Sequence, residues 1–175
     1  PDEIIFTSCG SESNNHAIKG AALANTSKGN HIIVSAIEHF SVLNSVKALK
    51  KQGFEVTEVP VDKYGVVNPD EVKKAITDKT VLVSIMHANG VIGVIQPLAE
   101  ISRIVKEKDI VFHTDAVQTA GTIKVNVDEL GVDLLTLAAS QFYGPKGTAV
   151  LYKRKGVRIL PLIDGGTQEE GRRAG

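Results

Sequence analysis

The segment TVLVSIMHANGVIGVIQPLAEISRIVKEKDIVFHTDA, residues 80–116, contains a complete strand–helix–strand unit. Its two ends, Thr80–Ala88 and Ile110–Ala116, are nearly continuous apolar runs, which are typical of parallel strands covered on both faces. The stretch between them carries the apolar stripe of a helix, formed by Leu98, Ile101, Ile104 and Val105. Such a unit predicts two parallel strands joined by a right-handed crossover.

Five other β-rich runs extend this pattern along the chain. They are Ile4–Ser8, His31–Ile37, Glu55–Val61, Val132–Ala139 and Thr148–Lys153. Together with the strand–helix–strand unit they predict an α/β fold, a doubly wound and mainly parallel seven-stranded sheet with helices on both faces.

Local signals predict further helices between these strands. Val42, Val46 and Leu49 recur at helical spacing and share one face. Asn68 is placed to cap the start of another helix, with Glu71 as its capping-box partner.

The length of 175 residues suits one domain with a sizeable core, and we find no repeat or linker, so residues 1–175 are predicted to form a single domain. The chain opens inside a strand and stops at RRAG without a closing element. We therefore expect a fragment of a longer protein, and a natural small protein with abrupt ends is the alternative.

The composition argues against several classes of partner. The 20 basic residues are balanced by 20 acidic ones, which argues against a nucleic-acid partner. No apolar run reaches the roughly 18–20 residues of a membrane helix, so we expect no membrane partner. Cys9 is the sole cysteine; it excludes an internal disulfide and suits a reducing, cytoplasmic location.

Polar residues follow the predicted strands where they end, and in a doubly wound sheet the ligand site lies beyond the carboxyl ends. After the first strand, Gly10 and Ser11 lead into a helix expected to begin near Glu12. Its free N–H groups would favour an anion, although Ser11 alone is more simply a helix cap. His39 follows the second strand, and a lone histidine is more often structural than functional.

The fourth and fifth strands also end in polar residues. Asn89-Gly90 is a dipeptide typical of turns. Asp115 ends a buried strand, where a carboxylate is costly unless a cation meets it, and Gln118 follows three residues on. An anion nest, an imidazole, a carboxylate and an amide together match the phosphate, ring face, pyridine nitrogen and phenolate of pyridoxal phosphate.

Several segments resemble the signature segments of the cysteine desulfurases, which are class V aminotransferase-fold enzymes dependent on pyridoxal phosphate. They are FTSCGSESNNHAIKG, SAIEHFSV, SIMHANGVIG, VFHTDAVQTAG, YGPKG and GGTQEEGRRAG. The resemblance covers nearly the whole chain and keeps the order of the segments. It implies the large domain of fold-type I pyridoxal-phosphate transferases.

The resemblance also implies roles for individual residues. Gly10 and Ser11 would hold the phosphate, His39 would stack on the ring, Asp115 would pair with the ring nitrogen and Gln118 with the phenolate oxygen. The implied cofactor-binding positions are Gly10, Ser11, His39, Asn89, Gly90, Asp115, Gln118 and Ser140, with no metal ligand. L-Cysteine would be the substrate, a sulfur-acceptor or cluster-scaffold protein the partner, and the full-length protein a homodimer.

The sequence departs from the family pattern beside the YGPKG turn. Anchored on that turn, the Schiff-base lysine falls on Gln141, whose amide is not a usable nucleophile. The phosphate-binding serine falls on Ala138 and a histidine on Ser140, and Lys146 is expected to point elsewhere. Cys9 stands where the family has glycine, and we interpret it as a small packing residue.

Three hypotheses follow. The chain is a cysteine desulfurase homologue that binds pyridoxal phosphate noncovalently, with doubtful activity in sulfur mobilisation for iron–sulfur cluster assembly. Alternatively, it is a non-catalytic scaffold or interaction module of sulfur transfer or cluster assembly. The third hypothesis is another fold-type I enzyme, such as a lyase or transaminase. The missing Schiff-base lysine counts against it as much as against a desulfurase.

Overall fold

A central sheet of seven strands organises the protein. In the computed structural model, which describes residues 2–175, the strands are β1 (Ile4–Thr7), β2 (His31–Ser35), β3 (Glu55–Val59), β4 (Thr80–Ser84), β7 (Val111–Asp115), β8 (Leu134–Ala138) and β9 (Ala149–Lys153). A separate hairpin consists of β5 (Ala88–Asn89) and β6 (Val94–Ile95).

The strand order in the sheet is β1-β9-β8-β7-β4-β2-β3. All neighbouring strands are parallel except that β9 runs antiparallel to both β1 and β8. The predicted mainly parallel seven-stranded sheet is therefore confirmed. The carboxyl ends of β1, β2, β4, β7 and β8 consequently meet at one edge of the sheet.

The prediction for residues 80–88 ran too far. The strand ends at Ser84, and the chain then leaves the sheet and forms the β5–β6 hairpin, which the sequence did not predict. Asn89 closes this hairpin, because its side-chain oxygen accepts the backbone N–H of Val91 at 2.9 Å. The turn predicted at Asn89-Gly90 is thus present.

Helices cover both faces of the sheet, as predicted. They are α1 (Gly10–Ala24), α2 (Phe40–Lys50), α3 (Pro69–Ala75), α4 (Leu98–Lys106) and α5 (Val127–Leu130), with 3₁₀ turns at Ala139–Phe142 and Gln168–Gly171. Side chains alternate between the faces of a strand, so Ile32 and Val34 pack in the core under α1 and α2, whereas Ile33 packs in the second core under α3 and α4.

Most local helix signals are confirmed. Leu98, Ile101 and Val105 are buried on α4, while Ile104 is half-buried. Asn68 caps α3 through its side-chain oxygen, which accepts the N–H of Asp70 at 2.9 Å. The capping-box role of Glu71 was wrong, because its carboxylate pairs with Lys74 at 2.7 Å instead. No helix within residues 2–175 is long and apolar enough to cross a membrane.

Candidate functional site

A cavity of about 430 Å³ opens at the shared carboxyl edge of the sheet. Every site residue predicted from the sequence lies on its wall: Gly10, Ser11, His39, Asn89, Gly90, Asp115, Gln118, Ser140 and Gln141. The sequence reasoning missed the side chains of Asn14, Met86 and Val117, which also line the cavity. Asn14 lies inside a helix, and Met86 and Val117 lie just after strands. An amide or apolar residue at such a position belongs to no recognisable motif.

The start of α1 forms one end of the cavity. The helix begins at Gly10 and is capped by Cys9, whose sulfur accepts the backbone N–H of Glu12 at 3.4 Å. The predictions that Ser11 caps the helix and that Cys9 is a packing residue were therefore wrong. Cys9 has the extended backbone of a cap (φ −164°) and is exposed, whereas Ser11 lies within the first turn.

Gly10 allows a close approach between α1 and the loop after β7. A Cβ atom at this position would lie 2.9 Å from Cγ2 of Val117, which is closer than ordinary van der Waals contact. The first turn of the helix and the end of β7 can therefore face the same small space. Within the described chain, the first-turn N–H groups of Glu12 and Ser13 are bonded to Cys9, which leaves those of Gly10 and Ser11 for a ligand.

Glu12 places a carboxylate beside this anion-favouring helix start, and a cation compensates it. Nε of Arg173 lies 2.8 Å from Glu12 Oε1, and Ser8 donates its backbone N–H to Oε2 at 2.8 Å. Burial alone would raise the pKa of Glu12, but the hydrogen bonds from Arg173 and Ser8 outweigh it and lower the pKa to about 2. The pair joins the C-terminal segment to α1.

Asp115 is the buried carboxylate of the cavity and is 6% exposed. It accepts hydrogen bonds from the backbone N–H of Val117 at 2.9 Å and from Nδ2 of Asn14 at 2.7 Å. Burial raises the pKa of Asp115, and these hydrogen bonds offset only part of the effect. Asp115 forms no salt bridge with any cation in residues 2–175, so its desolvation is only partly compensated within the described chain.

His39 lies at the start of α2 and is its cap. Its Nδ1 accepts the backbone N–H of Ser41 at 3.1 Å and lies 2.7 Å from the Ser41 hydroxyl. That hydroxyl lies 2.9 Å from Nδ2 of Asn14, which also contacts Asp115. The imidazole and the buried carboxylate are therefore ends of one hydrogen-bonded chain.

A second buried carboxyl group, Glu38, lies behind the cavity wall. Its Oε1 accepts the hydroxyl of Ser35 at 2.5 Å and the backbone N–H of Met86 at 2.8 Å, while Oε2 has no partner among the described residues. Burial raises the pKa of Glu38 to about 8, and the nearby charge of Asp115 adds to the shift. Glu38 is thus a neutral acid at pH 7, a property that its place in the sequence did not reveal.

Gln118 and Gly90 share one wall of the cavity. A Cβ atom at residue 90 would lie 2.9 Å from the side-chain oxygen of Gln118, so the amide occupies the space that a side chain at residue 90 would need. Asn89 uses its own amide within the protein, since it donates to the carbonyl of Ile37 at 3.2 Å. Gln118 is therefore the amide available to a ligand on this wall.

The loop after β8 carries Gln141. Residues Ala139–Phe142 form a 3₁₀ turn, which Tyr143 ends in the left-handed conformation (φ 64°). Ser140 and Gln141 of this turn are exposed and line the cavity, whereas Lys146 lies outside the wall. No lysine within residues 2–175 lines the cavity, so its wall offers no amine for a covalent bond to a carbonyl ligand.

These donors and acceptors suit pyridoxal phosphate. The open end of α1 offers N–H groups that favour an anion, and the buried Asp115 carboxylate favours a cationic group such as a protonated ring nitrogen. Gln118 and His39 add an amide and an imidazole ring to the same cavity wall. Within residues 2–175, no group of three or more His, Cys, Asp or Glu side chains is placed to hold a metal ion.

Comparisons with known proteins agree with this architecture. The family model of the class V aminotransferases matches residues 1–171. Cysteine desulfurase IscS of Dictyoglomus turgidum is 62% identical over 174 residues, covering 99% of this chain and 44% of that protein. Cysteine desulfurase IscS of Methanosarcina thermophila is 58% identical over 174 residues, covering 99% of this chain and 43% of that protein.

Solved structures show the same fold. A NifS-like protein superposes with a TM-score of 0.96 at 47% identity, covering 100% of this chain and 48% of that one. SspA in complex with cysteine superposes with a TM-score of 0.95 at 42% identity, covering 100% of this chain and 51% of that one.

The sheet topology and these structural neighbours define a fold-type I α/β protein. The chain belongs to the class V aminotransferase family, and the two relatives named above are cysteine desulfurases. It spans less than half the length of the curated relatives that it matches.

Proposed function

We propose that this chain is the cofactor-binding large domain of a cysteine desulfurase homologue, and that it binds pyridoxal phosphate noncovalently. The observation that carries this proposal is the buried Asp115, whose raised pKa and lack of a salt bridge in the described chain call for a cationic ligand group. The family relationship names the cofactor whose ring nitrogen supplies such a group.

The remaining contacts follow from the cavity wall. Gly10 and Ser11 would hold the phosphate at the start of α1, and Gln118 would donate to the phenolate oxygen. His39 would cover the ring face and hold or release a proton at its imidazole. Gln141 stands where the resemblance expects the Schiff-base lysine, so binding rests on these contacts alone.

When bound, pyridoxal phosphate supplies an electron sink for carbanion chemistry. The chain's own residues have three tasks around it. Asp115 stabilises the proton on the ring nitrogen, the first turn of α1 holds the phosphate, and the apolar side chains of Met86 and Val117 exclude water from the wall.

L-Cysteine is the proposed substrate, and a sulfur-acceptor or cluster-scaffold protein is the proposed partner in iron–sulfur cluster assembly. Two observations on relatives support the substrate: two cysteine desulfurases are 62% and 58% identical to this chain, and SspA has been solved in complex with cysteine. A homodimer of the full-length protein and a cytoplasmic location belong to the same proposal. The non-catalytic scaffold stays as the alternative, because Gln141 provides no amine.

Equilibrium dialysis against pyridoxal phosphate, with the cofactor on each side measured by its absorbance, tests this function. We expect an excess of cofactor on the protein side, which later dialysis against buffer removes and which borohydride does not fix to the protein. Asp115→Asn should weaken binding by about tenfold or more, because a hydrogen bond to a charged group is lost. Asp109→Asn, an exposed substitution of the same kind outside the cavity, is the matched control.

Two results would overturn parts of the proposal. If the protein side retains no excess of cofactor at saturating concentration, the chain does not bind pyridoxal phosphate and the scaffold hypothesis is favoured. If borohydride fixes the cofactor to a lysine near residue 141, the interpretation of Gln141 is wrong.

A further inference from the structure

Asn14 is buried in the first half of α1 and contributes one side-chain nitrogen to two contacts. Nδ2 lies 2.7 Å from Oδ2 of Asp115 and 2.9 Å from the hydroxyl oxygen of Ser41. An amide nitrogen has two hydrogens, so each contact uses one of them. Both donors of Asn14 are thereby committed to groups on two other elements.

The other end of the same amide has no partner. Oδ1 of Asn14 is buried and accepts no hydrogen bond from the described residues, although the residue is only 1% exposed. Turning the amide over would place Oδ1 against the Asp115 carboxylate, which is repulsive as long as that group is ionised. The amide nitrogen, rather than the oxygen, is therefore held between Asp115 and Ser41.

This orientation fixes the direction of the next hydrogen bond. The Ser41 oxygen accepts from Asn14, and its own hydrogen is directed to His39 Nδ1 at 2.7 Å. The backbone N–H of Ser41 also donates to Nδ1, at 3.1 Å. A ring nitrogen that accepts from two donors carries no proton, so the neutral imidazole carries its proton on Nε2.

We propose that Asn14 is a positioning residue of this cavity, which links the Asp115 carboxylate to the His39 imidazole through the Ser41 hydroxyl and holds the ring in the Nε2–H tautomer. The significance of this link rests on the proposed function, in which Asp115 and His39 contact the cofactor. The link itself exists in the cofactor-free protein. In other sites, the hydrogen bond made by one ring nitrogen of a functional histidine sets its tautomer.

Nitrogen-15 NMR of the His39 ring in cofactor-free protein tests the link directly. Wild type should show a single tautomer, with an unprotonated Nδ1 and a protonated Nε2. Asn14→Leu should shift the Nδ1 resonance, because the Ser41 hydroxyl is then free to turn away from the ring and only the backbone N–H of Ser41 still donates to Nδ1. Asn15→Leu is the matched control, since Asn15 lies next to Asn14 on α1 and its side chain bonds only Ser11 among residues 2–175.

A double-mutant comparison separates positioning from simple loss of packing. Ser41→Ala should change the His39 resonances, and adding Asn14→Leu should change them no further, because Asn14 acts through Ser41. The proposal is overturned if Asn14→Leu, shown to be folded by circular dichroism, leaves the His39 resonances like those of Asn15→Leu. Additive effects of Asn14→Leu and Ser41→Ala would overturn it as well.

Cofactor titration of the same variants keeps this inference apart from the proposed function. Asn14→Leu should weaken pyridoxal phosphate binding by about tenfold, whereas Asn15→Leu should not change it. If wild type binds no pyridoxal phosphate but the NMR results hold, the positioning role survives and the proposed function fails. If wild type binds the cofactor but the NMR results fail, the proposed function survives and the positioning role fails.

Discussion

Glu38 and Met86 are joined by a hydrogen bond of 2.8 Å between a carboxyl oxygen and a backbone N–H. The bond ties the loop after β2 to the segment after β4, and both segments contribute residues to the cavity wall. The carboxyl that makes it is fully buried and neutral at pH 7, because burial raises its pKa to about 8.

The first prediction concerns the pH dependence of stability. Since the folded-state pKa of Glu38 is raised from 4.5 to about 8, its contribution to stability is present below pH 4.5 and is lost as pH rises through 8. Glu38→Gln keeps the shape and the acceptor but cannot ionise. We expect wild type and Glu38→Gln to have similar unfolding free energies near pH 5. As pH rises, the unfolding free energy of wild type should decrease relative to that of the variant, by at most about 1.4 kcal/mol per pH unit.

Urea unfolding at several pH values measures this difference. In an Asp115→Asn background the divergence should be smaller, because the charge of Asp115 contributes to the raised pKa of Glu38. Parallel curves of stability against pH for wild type and Glu38→Gln would contradict the prediction.

The second prediction concerns Gln141. The side chain lies on an exposed turn of the cavity wall, so a lysine there would reach the space in front of Asp115. Gln141→Lys should bind pyridoxal phosphate through a bond that borohydride makes permanent, and peptide mass spectrometry should locate it at residue 141. We expect little desulfurase activity, because Ala138 and Ser140 are unchanged.

Two control variants test whether the adduct depends on an amine at residue 141. Gln141→Met has similar length and no amine and should give no permanent adduct. Lys146→Ala combined with Gln141→Lys should retain the adduct, because Lys146 lies outside the cavity wall. An adduct at another lysine, or full turnover from Gln141→Lys alone, would refute our view of this position.

The third prediction concerns the Arg173–Glu12 ion pair, whose side chains are only 21% and 11% exposed. Arg173→Ala should lower the unfolding free energy at pH 7 by about 1–2 kcal/mol, as for a hydrogen-bonded charge. Because the folded-state pKa of Glu12 is lowered to about 2, this stabilisation is present above pH 4.5 and is lost as pH falls towards 2.

Acid unfolding of Arg173→Ala measures this effect, and the gap to wild type should close below pH 4.5. Lys28→Ala removes an exposed pair with Asp109 and should change stability by less than about 0.5 kcal/mol. A gap that is the same at pH 3 and pH 7 would show that packing, rather than charge, is responsible.

The fourth prediction concerns the cap of α1. A hydroxyl oxygen is a better acceptor than the thiol of Cys9, so Cys9→Ser should raise the unfolding free energy and Cys9→Ala should lower it, each by about 0.5–1 kcal/mol. Thermal unfolding of the two variants against wild type tests the order. An unchanged midpoint in Cys9→Ala would mean that the sulfur does not act as a cap.

Much of the fold was predictable because its signals are local. The apolar runs of β2 and β4, the stripe of α4 and the cap at Asn68 are each contained in a short stretch of sequence. The candidate site was predictable for a related reason: parallel strands bring residues that follow them to one edge, so His39, Asp115 and Gln118 had to be neighbours once the topology was known.

Other features were missed because short sequence patterns do not distinguish between alternative local conformations. Cys9 rather than Ser11 caps α1, because Cys9 adopts the extended backbone of a cap and Ser11 lies inside the first turn. The β5–β6 hairpin has two residues in each strand, too few for a periodic pattern. Nothing in the neighbourhood of Glu38 in the sequence distinguishes it from an exposed glutamate.

By itself, the sequence determined the seven strands of the central sheet, the main helices between them, the polar residues that end the strands, and the absence of a lysine at residue 141. The tertiary structure decided the pairings across long stretches of chain: Asn14 with Asp115 over 101 residues, Glu38 with Met86 over 48, and Glu12 with Arg173 over 161. The physical reason is that desolvation and hydrogen bonding depend on all atoms around a group. Periodicity and capping, in contrast, depend on the few residues beside it.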